Sequence, residues 1–180
     1  MNLSDGEKLI LFMLSEIYEK LRVDGEIDPK FVAKALRSGH LWAIKRKYYG
    51  IYDGLANNNS DVVKDVAAIL VMWDVMEAAY DRLTEDQKDE LHRQTGLKEV
   101  KFGGFDANTE EHHYGVLMFL IDEMDEFSTF KGRDLNTNQP AVGSYTRMLA
   151  VFKTLGRTLS GRSFNARELI QILNARRAAD

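Results

Sequence analysis

The sequence has no cysteine. That excludes disulfides, thiolate zinc sites and cysteine nucleophiles together, and it suits a reducing cytoplasm. Proline is nearly absent as well. Only Pro29 and Pro140 occur, each placed where a helix can begin. The longest apolar run, VAAILVMW from Val66 to Trp73, falls well short of the roughly 20 residues that span a bilayer. The first apolar cluster, LILFML, follows Asp5 and Glu7 rather than the basic leader of a secretory signal. Nor does one sign of charge dominate. Twenty-four basic against 28 acidic residues give a net charge of −4, so the whole molecule has no general attraction for nucleic acid or anionic membrane. The expectation is a cytoplasmic protein without membrane contact.

What is present is helical. The 180 residues, 44% hydrophobic and 29% charged, suit one soluble globular domain spanning 1–180. At this size a domain buries about 70% of the surface its unfolded chain exposes, so a core forms without staples. Ser4 with Glu7, Thr84 with Gln87 and Asn165 with Glu168 each have the spacing of a capping box. Asp28 ahead of Pro29 opens a short second helix, and Gly39 closes it. Ile10, Leu14, Ile17 and Leu21 form an apolar stripe at steps of three and four on the first helix. HLWAIKRKYYGIY makes a third helix, DGLANNNS a loop, and Ser60 a cap for the fourth. That fourth helix is apolar on every side from Val66 to Trp73, which places it centrally. LKEVKFGGF reads as extended, YGVLMFLI belongs to a sixth helix, and Pro140 opens a seventh. The fold class expected is all-α: a single multihelical domain of about eight helices around a central apolar helix, roughly residues 60–83.

The stretch GGFDANTEEHHYG, Gly103–Gly115, gathers five polar or acidic residues and two adjacent histidines ahead of that sixth helix. Helix initiation explains most of it. Asn108 with Glu111 has capping-box spacing, and Asp106 suits an Asx-turn. Glu110 and Glu111 bring negative charge to the helix start. A metal reading rests on Glu110 and His113, spaced as the Glu-x-x-His half of a di-metal bundle site. Such a site needs a second copy, and Asp89 with His92 only imitates one, so no metal or cofactor is assigned. The segment Arg37–Tyr52 interleaves basic and aromatic residues as nucleic-acid grooves do. An amphipathic helix with Ile44, Tyr48 and Tyr52 inward and a basic outer face explains it better. Asp74, Glu77 and Asp81 stripe the central helix, either facing water or pairing with an arginine. The arginines of the last stretch face either solvent or an acidic partner, including the Asp122–Glu126 cluster of another copy. No phosphate-loop pattern and no nucleophile elbow occurs.

Three blocks resemble the YfbU family of small bacterial and archaeal proteins: GFDANTE (Gly104–Glu110), NTNQPAVGSYTRMLAVF (Asn136–Phe152) and ELIQILN (Glu168–Asn174). Within the middle block the family-like residues are Asn136, Pro140, Tyr145, Arg147, Met148, Leu149 and Phe152. LSDGEKLIL and LRSGHLWAI match its opening helices more loosely. The resemblance implies a multihelical fold. It also implies a ligand-sensing or interaction role, since relatives carry a similar domain joined to a DNA-binding helix-turn-helix. His112 and His113 lie outside the family-like pattern.

The expected function is therefore a non-enzymatic ligand-binding or regulatory domain, acting as a homodimer, with a small-molecule ligand or a regulatory protein as partner. No catalytic residue is assigned. Phe105 and Tyr145 supply apolar walls, and Asp106, Asn108, Asn136 and Arg147 supply polar contacts, where the GFDANTE turn meets the loop before Pro140. Alternatively Asp106 and Asn136 satisfy the backbone of two neighbouring turns. Two other functions stand beside this one: a hydrolase or metal-dependent enzyme using Asp106, Glu110 and His113, and nucleic-acid binding through 37–52.

Overall fold

In the computed structural model, residues 3–48, 61–157 and 161–177 are described. Among them eight α-helices occur in chain order: α1 Asp5–Lys20, α2 Pro29–Arg37, α3 Leu41–Lys47, α4 Asp61–Asp81, α5 Glu85–Thr95, α6 Glu111–Met118, α7 Val142–Gly156 and α8 Ala166–Asn174. Tyr52, the DGLANNNS loop and Ser60 lie outside the described residues. Capping decides several boundaries. Ser4, Thr84 and Asn165 each accept a backbone N–H from the third helical residue, whose side chain returns the bond. Asp28 takes the Lys30 and Phe31 amides ahead of Pro29. Gly39 (φ +75°) and Gly96 (φ +69°) terminate helices in the left-handed conformation that glycine adopts without strain.

α4 is the central element. It buries Val63, Val66, Ile69, Leu70, Met72, Trp73, Met76 and Ala79, leaves Lys64, Val71, Val75 and Ala78 exposed along one side, and packs against α6, α7 and α8. A smaller cluster, Phe31, Ala35, Ala43, Ile44 and Phe119, joins α2 and α3 to the end of α6. The helical pattern of YGVLMFLI continues past α6 as one π-helical turn, Phe119–Glu123. Three successive residues are buried there. Phe119 enters the small cluster, while Leu120 and Ile121 enter the main core. A wider turn lets neighbours in sequence serve two cores, which a uniform 3.6-residue repeat would not.

Two expectations are corrected. The sixth helix starts at Glu111, and Asn108 makes no capping box; Asp106 has already drawn the Asn108 amide into a turn, and the N-cap is Glu110. The seventh starts at Val142, two residues after Pro140, for a reason given below. The stripe Ile10, Leu14, Ile17 and Leu21 faces outward. α1 lies on α2 through its other side, where Ser15 is buried and Phe12 carries the Arg37 guanidinium over its ring at 5.0 Å.

Candidate functional site

The chain enters GFDANTE on Gly104, whose φ is +91°. A Cβ built there would stand 1.7 Å from the Leu135 carbonyl oxygen. Only glycine lets the two backbones approach this closely. The approach creates a single parallel bridge: the Phe105 amide donates to the Leu135 oxygen (3.1 Å), and the Thr137 amide donates to the Phe105 oxygen (3.2 Å). Phe105 is fully buried, with Phe102, Tyr145 and His113 around its ring at 5.9, 5.7 and 5.5 Å between centroids.

The Asp106, Glu110 and Asn136 side chains of the two loops each have partners within the chain. Asp106 is buried; its Oδ1 accepts the Asn108 amide (2.9 Å) and its Oδ2 the Thr109 hydroxyl (2.6 Å). The Thr109 hydroxyl and the Asn108 amide hold its carboxyl below the usual aspartate range. Asn136 Oδ1 accepts from the amides of Ala107 (3.2 Å) and Asn138 (3.1 Å), tying the two loops. Glu110 reaches furthest. One of its oxygens takes the amides of Ala141 (2.9 Å) and Val142 (2.8 Å), and the other takes the Asp106 amide (3.1 Å). Those first two donors open α7, so a carboxylate from the start of α6 caps α7 from some thirty residues away. This explains why α7 begins after Pro140. None of the sequence readings of Glu110, as a charge at its own helix start, a metal ligand or a hydrolase residue, includes this cap.

Five of the six expected site residues, Phe105, Asp106, Asn108, Asn136 and Tyr145, meet at this junction. Tyr145 is nearly buried beneath it, burial pushes its phenol up, and a hydrogen bond joins it to the Gly103 backbone. Arg147 turns elsewhere. Two residues past Tyr145 it lies on another side of α7, donating to the carbonyls of Ala175 (3.3 Å) and Arg176 at the end of α8.

The Asp106 geometry carries a pH expectation. A carboxyl whose folded pKa is depressed contributes stability that is present above its unfolded pKa, near 3.8. That contribution is lost as pH falls through the folded value. Asp106→Asn should therefore flatten the loss of stability below about pH 4, measured by urea unfolding at several pH values. An unchanged slope would show that Asp106 takes no part in it.

Above the junction, two adjoining clefts of ≈ 550 and ≈ 580 Å³ meet along Val62, Glu111 and His112. The first adds Asn108, Thr109, Glu110, His113 and Val142, and the second adds His40, Trp42 and Val116. Phe105 lies under the first through its contact with His113. Burial lowers the pKa of both His113 and His40. The Trp42 indole N–H donates to His40 Nδ1 (3.2 Å), which leaves its Nε2 as the protonated nitrogen of the neutral ring. His112 is the exposed one, its side chain 83% accessible. His40 and Trp42 lie in the basic-aromatic segment Arg37–Tyr52, but no local signal joins them or Val62 to this cleft, because they reach it from α3 and the start of α4.

Most of the remaining candidates are engaged. Glu77 receives both terminal nitrogens of Arg133 at 2.9 Å and the Phe102 amide at 2.7 Å. Asp74 accepts the Thr129 hydroxyl. His92 sits between the Tyr80 hydroxyl (2.8 Å) and the Leu97 carbonyl (2.7 Å). On α3, Arg46 forks onto Glu126 and Lys47 stands over the Phe31 ring at 4.0 Å. Lys34 and Lys131 take Glu123 and Asp125, so with Glu126 three of the four acids of the cluster are paired within the chain. At the C-terminal end Arg162 pairs with Glu168, and Arg176 and Arg177 both donate to the Thr95 carbonyl. Among the described residues, no group of three or more His, Cys, Asp or Glu is placed to hold a metal ion, and no helix is long and apolar enough to cross a membrane.

An all-helical domain with an apolar central helix, and with two loops locked by a glycine approach and a long-range carboxylate cap, is the class that fold and site define. The YfbU domain matches residues 1–175 of the 180-residue chain. The protein belongs to the YfbU family.

Proposed function

We propose that the protein is a non-enzymatic binding domain of the cytoplasm that takes a small molecule in the cleft beside His112 and passes its occupancy to a partner. The supporting observation is the cleft itself. Its volume falls within the roughly 300–1,000 Å³ of small-ligand sites, and it combines apolar walls with a few convergent polar groups. Val62 and Val142 supply the walls, while Asn108, Glu111 and His112 supply the rim. The ligand class this favours has a flat or aliphatic body and a hydrogen-bonding end. Against hydrolysis stands the state of the carboxylates. Asp106 and all three Glu110 contacts are spent on backbone amides and a hydroxyl, so neither acid is poised over a substrate. Against nucleic acid stands the pairing of Arg46 with Glu126 and the stacking of Lys47 on Phe31.

A thermal-shift screen of metabolites tests this reading. A ligand at 100 times its Kd adds about 2.7 kcal/mol to stability, or roughly 5–10 °C for a chain of this size. His112→Ala should abolish that shift and leave the melting temperature of the free protein within about 1–2 °C, because an exposed side chain contributes little to folding. A screen without any shift, or a shift that survives both His112→Ala and Asn108→Ala, sinks the proposal.

A further inference from the structure

α1 is turned inside out. Leu9, Ile10, Met13, Leu14, Ile17 and Leu21 are between 49% and 70% exposed, whereas the less exposed side holds Lys8, Leu11, Phe12, Ser15 and Tyr18. At roughly 180 Å² for a fully exposed side chain of this size, the six leave on the order of 600 Å² of continuous apolar surface. That lies at the upper end of the roughly 300–600 Å² of the largest patch on a typical monomer. Val23 and Ile27, also exposed in the following loop, extend it. The total approaches the about 800 Å² that each partner contributes to a standard interface.

We infer that this face pairs with the same face of a second copy, the two α1 helices running antiparallel about a twofold axis between Met13 and Leu14. The register follows from the residues. A dyad at that point sets Ile10 against Ile17 of the other copy and Leu21 against Gly6. Gly6 lies at the centre of the face, with open space where a Cβ would stand. Antiparallel pairing opposes the two helix dipoles favourably, whereas parallel pairing would align them. An isologous contact of this kind closes as a dimer. The inference stands independently of the cleft.

The cysteine-free sequence makes the test clean. In sedimentation equilibrium at tens of micromolar, the chain should run at twice its 20.6 kDa. Ile17→Glu should weaken the dimer by at least about 30-fold, with far-UV circular dichroism unchanged. Leu14→Cys, beside the dyad, should cross-link quantitatively on oxidation. Leu21→Cys should not, since the two copies of that position stand about 22 Å apart along the axis at 1.5 Å per residue, beyond the about 7 Å Cα separation a disulfide spans. A wild-type chain at 20.6 kDa, a dimer that survives Ile17→Glu, or equal cross-linking at both positions overturns the inference.

Discussion

Gly104→Ala is expected to cost about 4 kcal/mol or more of folding stability and to lower the melting temperature by roughly 10 °C or more. Two effects combine. An alanine at φ +91° is strained on its own account. Its methyl would also occupy the position of the Leu135 carbonyl, 1.7 Å away. The neighbour is backbone, so the two segments must separate. Separation breaks both amide bonds of the bridge and draws Phe105 out of the ring cluster formed with Phe102 and Tyr145. Gly132→Ala is the matched control. Its φ is +78°, yet nothing lies within 4 Å of a Cβ there. It should show the conformational strain alone, on the order of 1–2 kcal/mol. Equal losses at the two glycines would refute the close-approach account.

Glu110→Ala is expected to cost about 3 kcal/mol, measured by urea unfolding. The substitution leaves three amides without their acceptor: those of Asp106, Ala141 and Val142. Bonds to a charged acceptor contribute about 1.5–3 kcal/mol each, and water replaces part of that at a half-buried site. Glu110→Gln keeps one oxygen for Ala141 and Val142 and should cost only about 1 kcal/mol. A catalytic role would give the reverse pattern, with little change in stability and an activity lost in both variants.

The local devices were legible in the sequence. Ser4–Glu7, Thr84–Gln87 and Asn165–Glu168 box as their spacing implies, because a cap is decided within four residues. The centrality of α4 was legible too, since VAAILVMW leaves no polar side to face water. What could not be read were contacts between distant segments. Nothing in the spacing of Glu110 says that its acceptors serve α7. Nothing near His40, Trp42 or Val62 says that they share a cleft with Asn108. The direction of the α1 stripe was also hidden. An apolar face shows that something covers it and not whether the cover is the chain's own core. Residue type groups Arg147 with Tyr145 as polar contact and apolar wall, although a separation of two residues along a helix divides their faces.

The central claim is that the motif opening at Gly103 is a joint between α6 and α7, held by the Glu110 carboxylate, with any ligand contacts on the cleft above it. Amide hydrogen exchange at Ala141 and Val142 tests it most directly. In the wild-type protein both amides should exchange slowly, as donors to a fixed acceptor. In Glu110→Ala they should approach the rate of open amides, while the amides inside α4 lose only the protection that follows from the lower global stability. Fast exchange of the two amides in the wild type, or protection that persists in the variant, would contradict the account.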